Sequence, residues 1–299
     1  MYTIKRAAEL TGIGLSTLRA WERRYGVVSP SRSEGQYRLY SDADVRALAI
    51  MASLVHDGWT AKEAAAETLS RLAGGGVSAP VGGPQGAELE SPPGLDELLD
   101  AARDLDTPRV SAILAQRLGS ADFTEAAGSW LMPVLAAIGS AWADGRLSAA
   151  GEHLVSHAIQ RRLAGLYEAA PRATTGPVVV LGLPSGARHE LGLLAFSVAA
   201  RQAGLTTAYV GADLPAEDWE LAVSGRHAGG AVLSVPRMAD IVSAQAVVDR
   251  LTRNAPGIVV AVGGRHQDSV TGALHLGHDL AAGVALLRDG LVRGQRLTS

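Results

Sequence analysis

Apolar residues recur at helical spacing over residues 3–72 and again over 95–169, whereas beyond 176 short aliphatic runs alternate with longer amphipathic stretches. In the first region, residues 3–11 read as a short helix. Thr3 is its N-cap, and Ile4, Ala7, Ala8 and Thr11 share a face. Gly12-Ile13-Gly14 is a tight turn, after which Ser16 caps a second helix to Tyr25 with Leu18, Trp21 and Tyr25 as its apolar stripe. Two short helices joined by a glycine turn make a helix-turn-helix. Residues 29–40 are polar, turn at a glycine and end in alternation, which predicts a small β-wing. Ser41 caps a third helix, Asp42 to His56, with Val45, Leu48, Ala49, Ala52 and Val55 inward; a fourth begins at Trp59-Thr60 and runs to about Leu72.

Glycine and proline dominate residues 73–95, and no period survives there, so the stretch reads as a flexible linker. The next region starts a helix at Leu95, places a cap and first position at Thr107-Pro108, and carries Trp130, Met132, Leu135, Ile138 and Trp142 along a helix from Phe123 to Asp144. Gly145 breaks it, and Ser148 to about Glu168 forms the last long helix. Helices of this number and length predict a four-helix bundle. In the tail, Val178–Leu183, Thr206–Val210, Ala231–Val235 and Ile258–Val262 are strand candidates. Helices are expected between them at Leu191–Gln202, Pro215–Arg226 and Met238–Arg253, with a last one at about Asp279–Gly290. That alternation predicts a parallel, doubly wound sheet of Rossmann-like (flavodoxin-like) type. The reading is therefore multidomain: a winged helix-turn-helix at 1–73, a linker at 74–94, a four-helix bundle at 95–170 and an α/β domain at 176–292.

Composition narrows the chemistry. The absence of cysteine excludes disulfides, thiolate metal sites and thiol nucleophiles. No apolar run approaches the roughly 20 residues of a membrane helix, and the N-terminus lacks the apolar stretch of a signal peptide, so a cytoplasmic protein without a membrane partner is expected. Net charge is −3, but residues 1–74 carry 10 Lys and Arg against 8 Asp and Glu. A head of +2 on a remainder of −5 permits DNA binding at one end.

In that head, Arg19, Arg23 and Arg24 project from the second helix, and Arg32, Tyr37 and Arg38 from the wing, a set suited to base edges and phosphates. Farther on, Pro184-Ser-Gly-Ala-Arg-His-Glu-Leu-Gly192 follows a strand and opens a helix, which puts His189 at the carboxyl ends of the sheet, where ligands of such folds bind. Taken alone, each feature has an ordinary explanation: a solvated charged face, or a hydrogen-bonded loop histidine.

Order and spacing carry more. Ile4 to Thr11, Ser16-Thr-Leu-Arg19, Trp21-Glu-Arg23, Gly26 and Gly35-Gln-Tyr-Arg-Leu-Tyr40 followed by Ser41-Asp-Ala-Asp-Val45 resemble the MerR family of transcription regulators. The resemblance implies operator DNA as partner, contacted by Thr17, Arg19, Arg23, Arg32, Tyr37 and Arg38, and a homo-oligomer, dimer or tetramer, on a two-part site. Trp142, then Glu152-His153, then His189-Glu-Leu-Gly192, Ser234 and Gly263-Gly264 resemble the cobalamin-binding module over about residues 95–290. Together the two halves resemble the CarH/LitR group of cobalamin-dependent photoreceptor repressors, which are regulators and not enzymes.

That resemblance implies the following roles. His189 ligates the cobalt of adenosylcobalamin, Gly192 lets the helix approach the corrin, and Ser185 and Gly186 belong to the same loop. Ser234, Gly263 and Gly264 line the slot for the displaced nucleotide tail. Trp142, Glu152 and His153 cover the upper face. In the dark an oligomer binds operator; green or blue light breaks the Co–C bond, the oligomer dissociates and repression ends. Two positions depart from the group's pattern. Ala143 stands where a second histidine often follows the tryptophan, and Ala187 stands where an acid two residues before the ligating histidine raises its basicity. Arg188 also opposes ligation electrostatically. The alternatives are a light-independent regulator sensing a corrinoid or another tetrapyrrole such as a bilin, and a corrinoid methyl-carrier protein, against which the DNA-binding head argues.

Overall fold

The computed structural model describes residues 1–11, 13–32, 37–56, 59, 61–72, 91–119, 122–143, 145–173 and 175–298. Most of the expected linker, the wing tip at 33–36, Gly12 and Thr60 lie outside them. The chain divides into two compact units, Met1–Ser91 with Gly139–Ser148, and Pro92–Ile138 with Ala149–Ser299.

In the first unit β1 (Tyr2–Thr3) precedes α1 (Ile4–Thr11) and α2 (Leu15–Tyr25); β2 (Ser31–Arg32) and β3 (Arg38–Tyr40) lead into α3 (Asp42–His56) and α4 (Ala61–Leu72). The strands pair antiparallel in the order β1-β3-β2. Helix α2 starts at Leu15 with Gly14 at its N-cap and no side-chain cap, so the Ser16 cap is corrected by two positions. Its end is marked by Gly26 in the left-handed conformation (φ 62°), as a C-terminal glycine allows. Ser41 does cap α3: its Oγ accepts from the Asp44 amide at 3.1 Å, and an Asp44 carboxylate oxygen accepts from the Ser41 amide at 2.8 Å. The core is Leu18, Trp21, Tyr40, Leu48 and Met51, with Ala47, Ile50 and Leu54. Burying each large side chain contributes about 1.5–3 kcal/mol. The buried face of α3 is thus rotated from the one anticipated, and Val45, Ala52 and Val55 pack only at its margin. In the same unit Gly145 (φ 71°) lies under Arg46, whose Cδ would stand 2.7 Å from an added Cβ.

The second unit opens with α5 (Leu95–Arg103) and α6 (Thr107–Arg117). The cap of α6 is Asp106, whose carboxylate accepts from the Arg109 amide at 3.0 Å, so Thr107 and Pro108 stand one place farther into the helix than anticipated. The expected helix from Phe123 to Asp144 is interrupted: α7 (Phe123–Ala126) passes through a π-helical turn, Ala127–Leu131, into α8 (Met132–Ala143). Pro133 has no amide hydrogen to give the carbonyl of Ser129, and the Met132 amide reaches back five residues to Ala127 instead. Helix α9 (Ala149–Ala169) completes the helical region and packs on α5 and α6.

The α/β portion runs β4 (Val178–Pro184), α10 (Leu191–Gln202), β5 (Thr206–Leu214), α11 (Ala216–Gly225), β6 (Ala228–Ser234), a 3-10 turn at Met238–Asp240, α12 (Ile241–Asn254), β7 (Val259–Gly263), β8 (Leu274–His275) and α13 (Leu280–Thr298). All pairings are parallel, in the order β5-β4-β6-β7-β8. Helix α10 packs with α9 and α13, and α11 with α12. The chain reverses its direction across the sheet at β4, which makes the carboxyl ends of β4 and β6 the crevice where ligands bind in such sheets. Strands β4 and β6 are almost wholly buried, and so read as continuous aliphatic runs.

Three differences from the expected elements have local causes. Strand β5 continues past Val210 because Gly211 (φ 87°) carries an irregularity in register that a chain reading takes for a turn. Strand β8, two residues long, leaves no periodic signal. Helix α13 continues past Gly290 because its glycines serve close packing: a Cβ on Gly290 would meet Leu274 and Val259 at 3.2 and 3.3 Å, and one on Gly294 would meet Val259 at 3.1 Å.

Candidate ligand and DNA sites

The loop between β4 and α10 is pinned from two sides. Gly186 takes a positive φ of 83°, and the Ala187 amide closes a turn onto the Pro184 carbonyl at 3.0 Å. From the end of β5, Asp213 accepts the Gly186 amide at 2.7 Å, and its own amide donates to Ala187 at 3.1 Å. From the end of β6, Arg237 donates to the Gly186 carbonyl at 2.9 Å while paired with Asp240 at 2.7 Å, both side chains buried. A buried pair satisfied in this way holds its geometry. Ala187 is fully buried, whereas Ser185, Gly186 and His189 are exposed.

Arg188 does not stand free beside His189. Its guanidinium reaches Asp213 at 3.2 Å. The Gly186 amide, and then Arg188, hold the Asp213 carboxyl below the usual carboxylate range. The electrostatic opposition expected from Arg188 is therefore offset by a counter-charge.

Gly192 opens the first turn of α10, and Met132 Cε is the nearest atom a Cβ there would meet, at 3.7 Å. Ser234, buried at the end of β6, is in register with Gly263. Gly264 (φ 90°) is demanded by packing: a Cβ would lie 2.8 Å from the Val235 amide nitrogen and 2.9 Å from Ser234 Oγ. On α9, Glu152 accepts from His153 Nδ1 and from Ser156 Oγ, each at 2.6 Å, and His153 remains exposed. Trp142 lies half-buried in the first unit, at the end of α8. Among the described residues no group of three or more His, Asp or Glu is arranged to hold a metal ion, so a metal at His189 has to bring other ligands with it.

In the head, Thr17, Arg19 and Arg23 are exposed along α2, and Arg32 and Tyr37 are exposed beside β3. Arg38, expected to be exposed, is engaged instead. Its Nε donates to both carboxylate oxygens of Glu22 at 2.9 Å, and Tyr40 donates to the same carboxylate at 3.1 Å. Burial, then Glu22, pushes the Tyr40 hydroxyl up beyond its ordinary range. Arg38 therefore fastens β3 to α2. A groove is lined by Arg19, Glu22, Arg23, Pro30 and Arg38.

Chain reading missed Asp213, Arg237 and Asp240. Asp213 bonds to the loop across 25 to 27 residues and Arg237, held by Asp240, across 51, and only the sheet order brings them to it.

Residues 2–69 match the family described as MerR HTH family regulatory protein, and residues 95–167 match the B12 binding domain. The HTH-type transcriptional repressor CarH of Myxococcus xanthus is 35% identical over 268 residues, 88% of either chain. The repressor CarA of the same organism is 34% identical, over 71% of this chain and 69% of CarA. Among solved structures, the Methanosarcina barkeri monomethylamine corrinoid protein aligns with a TM-score of 0.53 and 14% identity, over 64% of this chain and 96% of that one, a likeness of fold.

Proposed function

Because the chain belongs to the family of HTH-type transcriptional repressors that includes CarH and CarA, we propose that it is a DNA-binding repressor in which adenosylcobalamin at His189 makes operator binding respond to light. The observation that carries the site is the exposed residue His189 on a loop braced by Asp213 and Arg237 at the carboxyl ends of a parallel sheet. A neutral imidazole suits cobalt, and at Gly192 only the flexible end of Met132 lies against the helix, which suits close approach of a flat macrocycle, so the residues present fit the group. Bound adenosylcobalamin supplies a Co–C bond that green or blue light cleaves.

The chain's own residues then divide the work. His189 would hold the metal. Asp213 fixes the backbone of the loop and takes the charge of Arg188 away from it. Ser185 and Gly186 shape the loop, while Ser234, Gly263 and Gly264 border the slot for the nucleotide tail. Glu152 and His153, on α9, would contact the cofactor, and Trp142 is a further candidate. The antiparallel pair β2–β3 supports reading the head as a winged helix, and α5, α6, the stretch Phe123–Ala143 and α9 support reading the helical region as a four-helix bundle. Thr17, Arg19, Arg23, Arg32 and Tyr37 contact operator DNA, with Arg38 holding the wing. Homo-oligomerisation supplies the second half-site contact that one short basic helix needs.

Light is tested by loading the protein with adenosylcobalamin in darkness and following its absorption spectrum and hydrodynamic size under green light. A changed spectrum with a smaller particle is expected; no change in either refutes light control. Ala143 supports a second reading, a light-independent corrinoid sensor, because that position offers no histidine to the upper face.

A further inference from the structure

Glu190 follows His189 directly and occupies the N-cap position of α10, yet its carboxylate makes no capping bond. An acid there is ordinarily drawn to the helix amides. Here both oxygens are used elsewhere. Oε1 accepts from Gln160 of α9 at 2.5 Å, and Oε2 accepts from the Tyr209 hydroxyl of β5 at 2.6 Å. We propose that Glu190 is a positioning residue that couples the orientation of His189 to α9, the helix bearing Glu152 and His153.

On one side of Glu190 the network is rigid. The Tyr209 amide donates to the Tyr167 hydroxyl at 3.2 Å, and that hydroxyl lies 3.0 Å from Thr207 Oγ1. The buried Arg201 guanidinium sits 3.5 Å over the Tyr167 ring and donates to the Tyr167 carbonyl at 2.7 Å and to Thr207 Oγ1 at 3.1 Å. Satisfied buried networks of this kind resist displacement. Burial, then Glu190, pushes the Tyr209 hydroxyl above its ordinary range, which keeps it a donor to the carboxylate. On the other side lies an outward helix face. Gln160 Oε1 is 3.4 Å from His157 Nδ1, and the His157 ring meets that of His153 with centroids 6.4 Å apart. Movement of the residue next to the cobalt ligand is thus passed to α9 through both carboxylate oxygens, directly from Oε1 to Gln160 and from Oε2 by way of Tyr209 to Tyr167.

The inference rests on the cobalamin reading. Its test is titration of the full chain with hydroxocobalamin, comparing wild type with Glu190→Gln, Glu190→Ala, Gln160→Leu and the double variant Glu190→Ala/Gln160→Leu. Gln160→Leu should weaken binding about tenfold, as loss of a residue that orients a metal ligand does, and should shift the visible band of the bound corrinoid. The double variant should lose no more than Glu190→Ala alone, and Glu190→Gln, which can still bond to both partners, should stay near wild type. Wild type that takes up no hydroxocobalamin overturns the cobalamin reading and this inference with it. Wild type that binds while Gln160→Leu leaves affinity and spectrum unchanged, or losses that simply add, overturn the coupling alone.

Discussion

His189 is legible in the sequence as a loop histidine after a strand, but its surroundings are not. No acid stands two residues before it, at Ala187; Asp213 reaches the loop from the neighbouring strand, 27 residues beyond Gly186. It adopts a left-handed backbone (φ 60°) to do so, a conformation uncommon outside glycine and tolerated by aspartate. Its folded acidity is stronger than its unfolded value, so its contribution is complete above the unfolded value near 3.9 and is lost as pH falls through the lower folded one. The wild type should therefore lose thermal stability more steeply than Asp213→Asn as pH is lowered from about 5 to 2. Parallel acid profiles would show that Asp213 stabilises nothing through its charge. The exposed arginines give a second prediction at this scale. Arg19→Ala should weaken operator binding and reduce its salt slope by about one, with no change in melting temperature. A salt dependence identical to wild type would remove Arg19 from the phosphate contacts.

At the scale of elements, long helices and buried strands follow from apolar period, and α10 begins and ends where the pattern places it, at Leu191 and Gln202. The failures fall where one residue changes meaning with context. Pro133 diverts a helix into a π turn, Gly211 prolongs a strand, and Gly290 and Gly294 let α13 approach β7 without ending it. Arg38 is another such case. Its place in an alternating hairpin predicts an outward side chain, but Glu22 of α2 captures it across 16 residues. Arg38→Ala should therefore lower both operator affinity and the melting temperature of the head, in contrast to Arg19→Ala; a variant as stable as wild type would return Arg38 to a purely DNA-facing role. Ser41→Ala removes the capping box of α3 and should cost about 1 kcal/mol in denaturant unfolding of the head. An unchanged midpoint would mean that the cap adds nothing to α3.

For the whole molecule, the order of head, helical region and α/β sheet is legible because the Gly- and Pro-rich stretch 73–95 parts two regions of helical period and strand–helix alternation begins beyond 176. Which segments pack together is not. Gly139–Ser148 falls with the head, although the chain places it inside the helical region. That grouping depends on contacts such as Arg46 over Gly145, which no periodicity encodes. No described helix is long and apolar enough to cross a membrane. In the proposed regulator the path from cofactor to DNA begins at one bond, that between His189 and cobalt. Its most direct test is the visible spectrum, in darkness, of hydroxocobalamin bound to wild type and to His189→Ala. The wild type should show imidazole-ligated cobalt and the variant should revert to the spectrum of the unligated corrinoid; identical spectra would contradict the assignment of His189.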